Sequence, residues 1–444
     1  MSKNDAFLFL NIPLPSNITR CKEMGDLEGA IRLIDRCLES NIQPELSQRL
    51  TAERLRLERL PLDYTLDRTQ ALALLRHEWP ECSDETFDSL VDDGRIDWRM
   101  IDQHPHYHDR FLESLRLYPK LAPGLLPKKE NNTYRDETLA RMCSEGSLTA
   151  QITLRTSIKA CGDVFSKNVQ AWLPIPAACP QQSKIEILEC TPGGVCAPED
   201  APQRTIWWNA TGVDEFSVTY RYLYHAVYAD PLQIKADLIQ PTFDLEEQAP
   251  HILFTPYLRA LAARITDGLT DPIQKAKAIY DYVTGYVDYR FQPAYIQLEP
   301  ICEMCVKDLR GDCGMFALLF ITLCRISGIP ARWQSGLSVR PDSVGAHDWA
   351  MFYVAPHGWL WADCSYGSSA RRNNEPERRS HYFGNLDPWR MVANRAFQAP
   401  LTPPMPGWRH DPYDNQSGEI MVNGHGLTGS ERSSSRELLE FTLL

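Results

Sequence analysis

One stretch of this chain, residues 313–326, has almost no polar side. Met315, Phe316, Leu318, Leu319, Ile321, Leu323 and Ile326 cover it all round. The spacing predicts a helix from Cys313 to near Ser327, with Gly328 as its C-terminal stop and Pro330 just beyond. A helix that is apolar on every face must be buried, so its domain has to wrap other elements around it. Its first residue is a cysteine, reached through the polar turn Lys307–Asp312. At a helix N-terminus, unpaired N–H groups and the positive end of the dipole favour a thiolate. A buried helix also holds its first residue rigidly. Gly311 and Gly314 add little bulk beside the thiol, so a substrate backbone could approach.

Two strands downstream supply possible partners. His347–Val354 and Trp359–Asp363 are joined around Ala355-Pro356-His357-Gly358 and read as a hairpin, preceded by a strand at Ala331–Leu337. If residues 354 and 358 pair, His347 and Asp363 fall on one face as diagonal neighbours, roughly 5–8 Å apart. An even-length loop would put them on opposite faces. We expect the first register, with both side chains pointing at the start of the Cys313 helix. Cys313 as nucleophile, His347 as base and Asp363 as its orienting acid is the set that acyl-transfer chemistry needs. The Cys313 backbone N–H is an oxyanion donor in this reading. Tyr289, on a short strand before the helix, is the candidate side-chain donor. Trp349 shares the His347 face by period two and is expected to wall the cleft with Gly314.

With 444 residues, the chain exceeds one ordinary core. Residues 1–135 read as helical, with Ser83 as an N-cap, and a linker falls at 123–132. Residues 145–245 alternate with period two between turns and read as a β-sandwich-like module. Helices are expected at His251–Ile265 and Asp271–Val283 within a catalytic core at 250–400. Residues 401–444 read as a tail whose last segment, Leu438–Leu444, adds an edge strand or frays. Net charge is −12, which argues against nucleic acid and anionic membrane as partners. No apolar run is long enough to span a bilayer, and no signal peptide is read. Thirteen scattered cysteines suggest a reducing, cytoplasmic setting.

Other motifs are read conservatively. Cys302-Glu303-Met304-Cys305 has no second ligand pair for zinc and is taken as two loop cysteines near the rim of the site. His104-Pro105-His106-Tyr107-His108 is taken as a surface turn. No metal and no cofactor are expected. Arg371, Arg372, Arg378 and Arg379 read as a solvated loop, with an acid-accepting wall of the cleft as the alternative. Ser338–Gly345 reads as a rim loop.

The segments GDCGMFALLFITLCRISGIPARWQSG, from Gly311, and HDWAMFYVAPHGWLWADCSYG, from His347, resemble the transglutaminase-like superfamily. The resemblance implies an α+β, papain-like core of about 110 residues, with Cys313, His347 and Asp363 at the matching positions. It implies a thioester intermediate and action on peptide or amide bonds. Hydrolysis comes first, and Gln–Lys transglutamination, with an amine acceptor as second substrate, comes next. A non-catalytic scaffold on the same fold is the contrasting class. The module at 145–245 resembles the sandwich that precedes this core in bacterial members. The resemblance leaves natural substrate and oligomeric state open.

Overall fold

The computed structural model describes residues 3–126 and 132–444. The middle of the linker read at 123–132 lies outside the described residues. The N-terminal region is helical: α1 (Ser16–Glu23), α2 (Leu27–Leu38), α3 (Pro44–Asp63), α4 (Arg68–Glu78) and α5 (Asp84–Asp92). Asp26, Asp67 and Ser83 cap α2, α4 and α5 by accepting backbone N–H bonds. A hairpin, β1 (Trp98–Ile101) and β2 (His104–Tyr107), interrupts the helices, so His104–Tyr107 is a strand rather than a turn, with His108 just beyond it. α6 (Phe111–Arg116) and α7 (Thr133–Glu145) follow.

This region docks on the rest through charge and apolar contact together. Phe7, Leu10, Ala52 and Leu55 join the core built around the Cys313 helix. Beside them Glu53, wholly buried, bonds Arg49 at 2.6 Å, Arg56 and Lys22. Both arginines continue to Glu299, at 3.2 and 2.8 Å. A buried carboxylate is stable only with such a full set of donors.

The β module is two packed sheets. β3 (Ser147–Ala160), β5 (Gln182–Cys190) and β8 (Glu215–Val227) lie in one; β4 (Asn168–Pro174), β6 (Val195–Cys196) and β7 (Thr205–Thr211) lie in the other. Next come α8 (Pro256–Ile265), α9 (Pro272–Tyr286), β9 (Asp288–Tyr289), α10 (Ile301–Asp308), β10 (Arg310–Gly311) and α11 (Cys313–Ile326). α8 starts five residues later than the sequence predicts, because Pro256 occupies its first position and Thr255 caps it. α11 packs on a sheet of order β14-β13-β12-β11-β15. Its members are β11 (Ala331–Arg340), β12 (Ser343–Val354), β13 (Gly358–Ala362), β14 (Phe383–Gly384) and β15 (Arg390–Asn394). α12 (Cys364–Arg372) and α13 (Pro376–His381) cross between β13 and β14. The expected rim loop at 338–345 is mostly strand, turning only at Pro341-Asp342.

This five-stranded sheet is apolar on both faces. Ala350, Phe352 and Val354 face α11, whereas Leu337, Val339, Trp349 and Met391 pack against Ile152, Leu154 and Tyr220 of the β module. The expected tail is built in as well. β16 (Glu419–Val422) pairs with β4 and with β17 (His425–Gly426), and β18 (Arg432–Leu443) runs antiparallel to β3 along its length. The edge-strand alternative is the one the structure takes, because β3 otherwise leaves one row of backbone groups unpaired.

Candidate active site

The hairpin takes the expected register: Val354 pairs with Gly358 and Ala350 with Ala362. Asp363 follows β13 and caps α12, accepting from Tyr366 N at 2.8 Å. Its other oxygen bonds His347 Nε2 at 2.8 Å. That same oxygen lies 2.9 Å from Arg390 Nη2. Arg390 is fully buried, donates to Asp387 Oδ1 at 2.8 Å, and stacks on Trp349 and Tyr366. The imidazole itself stacks on Tyr366 at 4.3 Å. Burial alone would raise the Asp363 carboxyl, but His347 and Arg390 outweigh it and hold it below the ordinary carboxylate range. His347 is thus held by its bond to Asp363 and by Tyr366, with Nε2 committed to Asp363.

Cys313 has a different partner. Its Sγ donates to Asp348 Oδ2 at 3.1 Å, and no hydrogen bond joins it to His347. The reason is strand parity. Asp348 lies on the face of β12 that packs on α11, with Ala350 and Phe352, whereas His347 lies on the face of Trp349. The expectation that His347 and Asp363 point straight at the helix start therefore gives way: Asp348 occupies that place. Its second oxygen accepts from Gln416 Nε2, which also donates to His347 O at 2.9 Å.

The electrostatics at the thiol are also opposite to the helix-dipole expectation. Burial, then Asp348 and Asp312, push the Cys313 thiol well above its usual value. Burial and Asp414 push Asp348 up as well, and burial with Asp411 raises Asp414 to about 7. In this geometry the thiol is favoured over the thiolate. Asp312 caps α11 through Met315 N at 3.1 Å and accepts the Tyr295 hydroxyl.

The cleft has two connected lobes. A cavity of about 540 Å³ is lined by Cys313, Asp348 and Tyr295. A second, of about 410 Å³, is lined by His347, Tyr366 and Ser338. Tyr289, Phe291, Gly345 and Ala346 line both, so Cys313 and His347 open onto neighbouring parts of one groove. Tyr289 sits at the junction with its hydroxyl kept protonated, chiefly by burial. Gly314 serves packing rather than access: a Cβ there would lie 2.1 Å from the Tyr295 hydroxyl oxygen. Trp349 shares the His347 face but is fully buried, bonds Gln334 at 2.9 Å and lines neither cavity. Cys302 and Cys305 are buried on α10, not on a rim loop; Cys302 meets Thr322 Oγ1 at 3.1 Å, and burial raises its thiol to about 12. Among the described residues no group of His, Cys, Asp or Glu is arranged to hold a metal ion. No helix there is long and apolar enough to cross a membrane.

Residues 259–364 match the family model of the transglutaminase-like superfamily. The core belongs to that superfamily. The α+β architecture, with its sheet-rich module and N-terminal helices, is the setting of this core. Among solved structures, the chain is similar to a proposed cysteine protease from Cytophaga hutchinsonii, at 18% identity and TM-score 0.41, covering 67% of this chain and 91% of that one. The periplasmic domain of TgpA from Pseudomonas aeruginosa matches at 15% identity and TM-score 0.28, covering 54% and 94%. No curated protein matches this chain.

Asp348, Arg390 and Gln416 were not singled out by sequence reasoning. Asp348 carried a signal, since it alternates with His347 on a strand whose even positions, Ala350 and Phe352, are as apolar as the odd ones. Arg390 and Gln416 carried none, being 27 and 53 residues beyond Asp363.

Proposed function

We propose that this protein is a cysteine-dependent hydrolase of peptide or amide bonds, acting through Cys313, His347 and Asp363. The observation that carries the reading is the fixed imidazole: His347 Nε2 is bonded to Asp363, which Arg390 anchors, while the ring borders the groove that Cys313 also borders. Nε2 being committed, Nδ1 is the nitrogen that takes the thiol proton. Sγ has to leave Asp348 for this. It then attacks the acyl carbon, His347 returns the proton to the departing amine, and water hydrolyses the thioester. Tyr289 is the side-chain candidate for the oxyanion. The substrate class is a peptide or protein, and the thirteen thiols support a reducing, cytoplasmic setting.

Transglutamination is the second reading, and one observation favours it. Asp312, Asp348, Asp411 and Asp414 line the cavity at Cys313 beside Arg110 and Arg436, and four acidic side chains there offer acceptors to an ammonium group. The test is the pH dependence of Cys313 alkylation by iodoacetamide, followed by peptide mass spectrometry in wild type and His347→Ala, alongside turnover of amide substrates with and without a primary amine. A His347-dependent reactivity with release of free acid supports hydrolysis. Amine incorporation replaces it with transfer. Alkylation indifferent to His347, with no turnover, rules out the catalytic reading.

A further inference from the structure

The groove is polarised along its length. Its Cys313 lobe carries four acidic side chains, Asp312, Asp348, Asp411 and Asp414, beside Arg110 and Arg436. Its His347 lobe is lined by Arg135, Arg340, Arg372 and Arg378, and by no Asp or Glu. In a chain with 58 acidic residues against 46 basic ones, composition does not supply such a wall by itself. Ser338, Ser343, Ser365 and Ser369 line the same lobe and add hydroxyl groups.

Three of the arginines are neutralised from behind. Glu375 pairs with Arg378 and, at 3.0 Å, with Arg135; Asp136 also pairs with Arg135, and Asp342 with Arg340 at 2.8 Å. Arg372, half-buried at the end of α12, has no carboxylate within ion-pair distance among the described residues. Its Nη1 donates to Ser368 Oγ at 3.2 Å, and its guanidinium lies 5.5 Å from the Tyr118 ring and 5.9 Å from that of Tyr289. Ring contact of this kind orients the planar cation, and the remaining N–H groups make no hydrogen bond among the described residues. Tyr289 lines both lobes, so the uncompensated charge stands beside the place where they meet.

We propose that the His347 lobe is the subsite for an anionic group of the substrate, a carboxylate or a phosphate, with Arg372 as its principal contact. A guanidinium edge binds either group by paired, charge-assisted hydrogen bonds. The proposal rests on the reading that Cys313 and His347 are the reacting groups. It narrows the substrate to an amide carrying an acidic group within reach of the reacting bond.

The test uses the full chain and three N-acetylated, C-amidated tripeptides: Gly-Glu-Gly, Gly-phosphoserine-Gly and Gly-Gln-Gly. Each is titrated calorimetrically into wild type, Arg372→Gln and Arg372→Lys. At least one acidic peptide should bind about tenfold more tightly than the glutamine peptide, with the preference lost in Arg372→Gln and partly kept in Arg372→Lys. The tighter of the two names the source of the anion. Equal binding of all three, no binding of either acidic peptide, or a preference unchanged in Arg372→Gln overturns the proposal. Turnover of the same peptides by wild type and Cys313→Ala is read separately. Arg372-dependent binding without Cys313-dependent turnover leaves the subsite standing and removes the hydrolase. Turnover blind to charge does the reverse.

Discussion

Replacing Asp348 by asparagine asks whether this carboxylate restrains the thiol or activates it. Sγ and Oδ2 are 3.1 Å apart. Two full charges at that distance, in an effective dielectric of about 20, repel by about 5 kcal/mol. Burial and Asp414 raise Asp348 and so oppose its charge, and only part of that repulsion is counted here. Even a quarter of it, about 1.3 kcal/mol, is close to a tenfold change in thiolate population. The introduced amide would keep an oxygen for Gln416 and would offer an N–H to the thiolate. The variant should therefore alkylate with iodoacetamide about tenfold faster near pH 7, with its pH profile moved to lower pH. Rates would be read on the Cys313 peptide by mass spectrometry, with thermal melting as the control for folding. A slower Asp348→Asn would refute the reasoning, since Asp348 would then be the proton acceptor. An unchanged rate would show that the contact carries no charge interaction.

Other consequences concern stability. Glu53→Gln leaves Arg49 and Arg56 short of their shared buried acceptor and should cost about 3–5 kcal/mol by denaturant unfolding; a loss below about 1 kcal/mol would mean that Glu299 alone suffices. Leu318→Ala, wholly buried on α11, should cost about 2–5 kcal/mol in the same measurement. Asp414 is held at about 7 by burial and Asp411, above its unfolded value. The folded state thus binds that proton more tightly, so its ionisation removes stability as pH rises from about 4 to about 7. Asp414→Asn keeps an acceptor for Ser335 and should raise the melting temperature at pH 8 but not at pH 4; equal effects at both would contradict the assignment.

Much of the core was legible because its signals are local. An all-apolar helix must be buried, and its glycine and proline flanks mark its ends, which is why the helix Cys313–Ile326 was placed within a residue. The β12–β13 register followed from counting across a short turn. The His347–Asp363 bond followed from that register. The β module and the helical region were legible from periodicity, although the β1–β2 hairpin was not, since His104-Pro105-His106 reads as a breaker.

The sequence by itself determined most of the core elements, the thiol at the head of the buried helix, and the pairing of His347 with Asp363. Tertiary structure decided which face of β12 meets that helix. Both faces are apolar, one covered by α11 and the other by the β module, and no local pattern distinguishes them. That choice set Asp348 rather than His347 against Cys313. It also gathered Arg390, Asp414 and Gln416 around the site from positions far along the chain. Burial in such company, rather than position at a helix terminus, controls the charge on the thiol, because desolvation and a carboxylate 3.1 Å away outweigh the partial charge of a helix end.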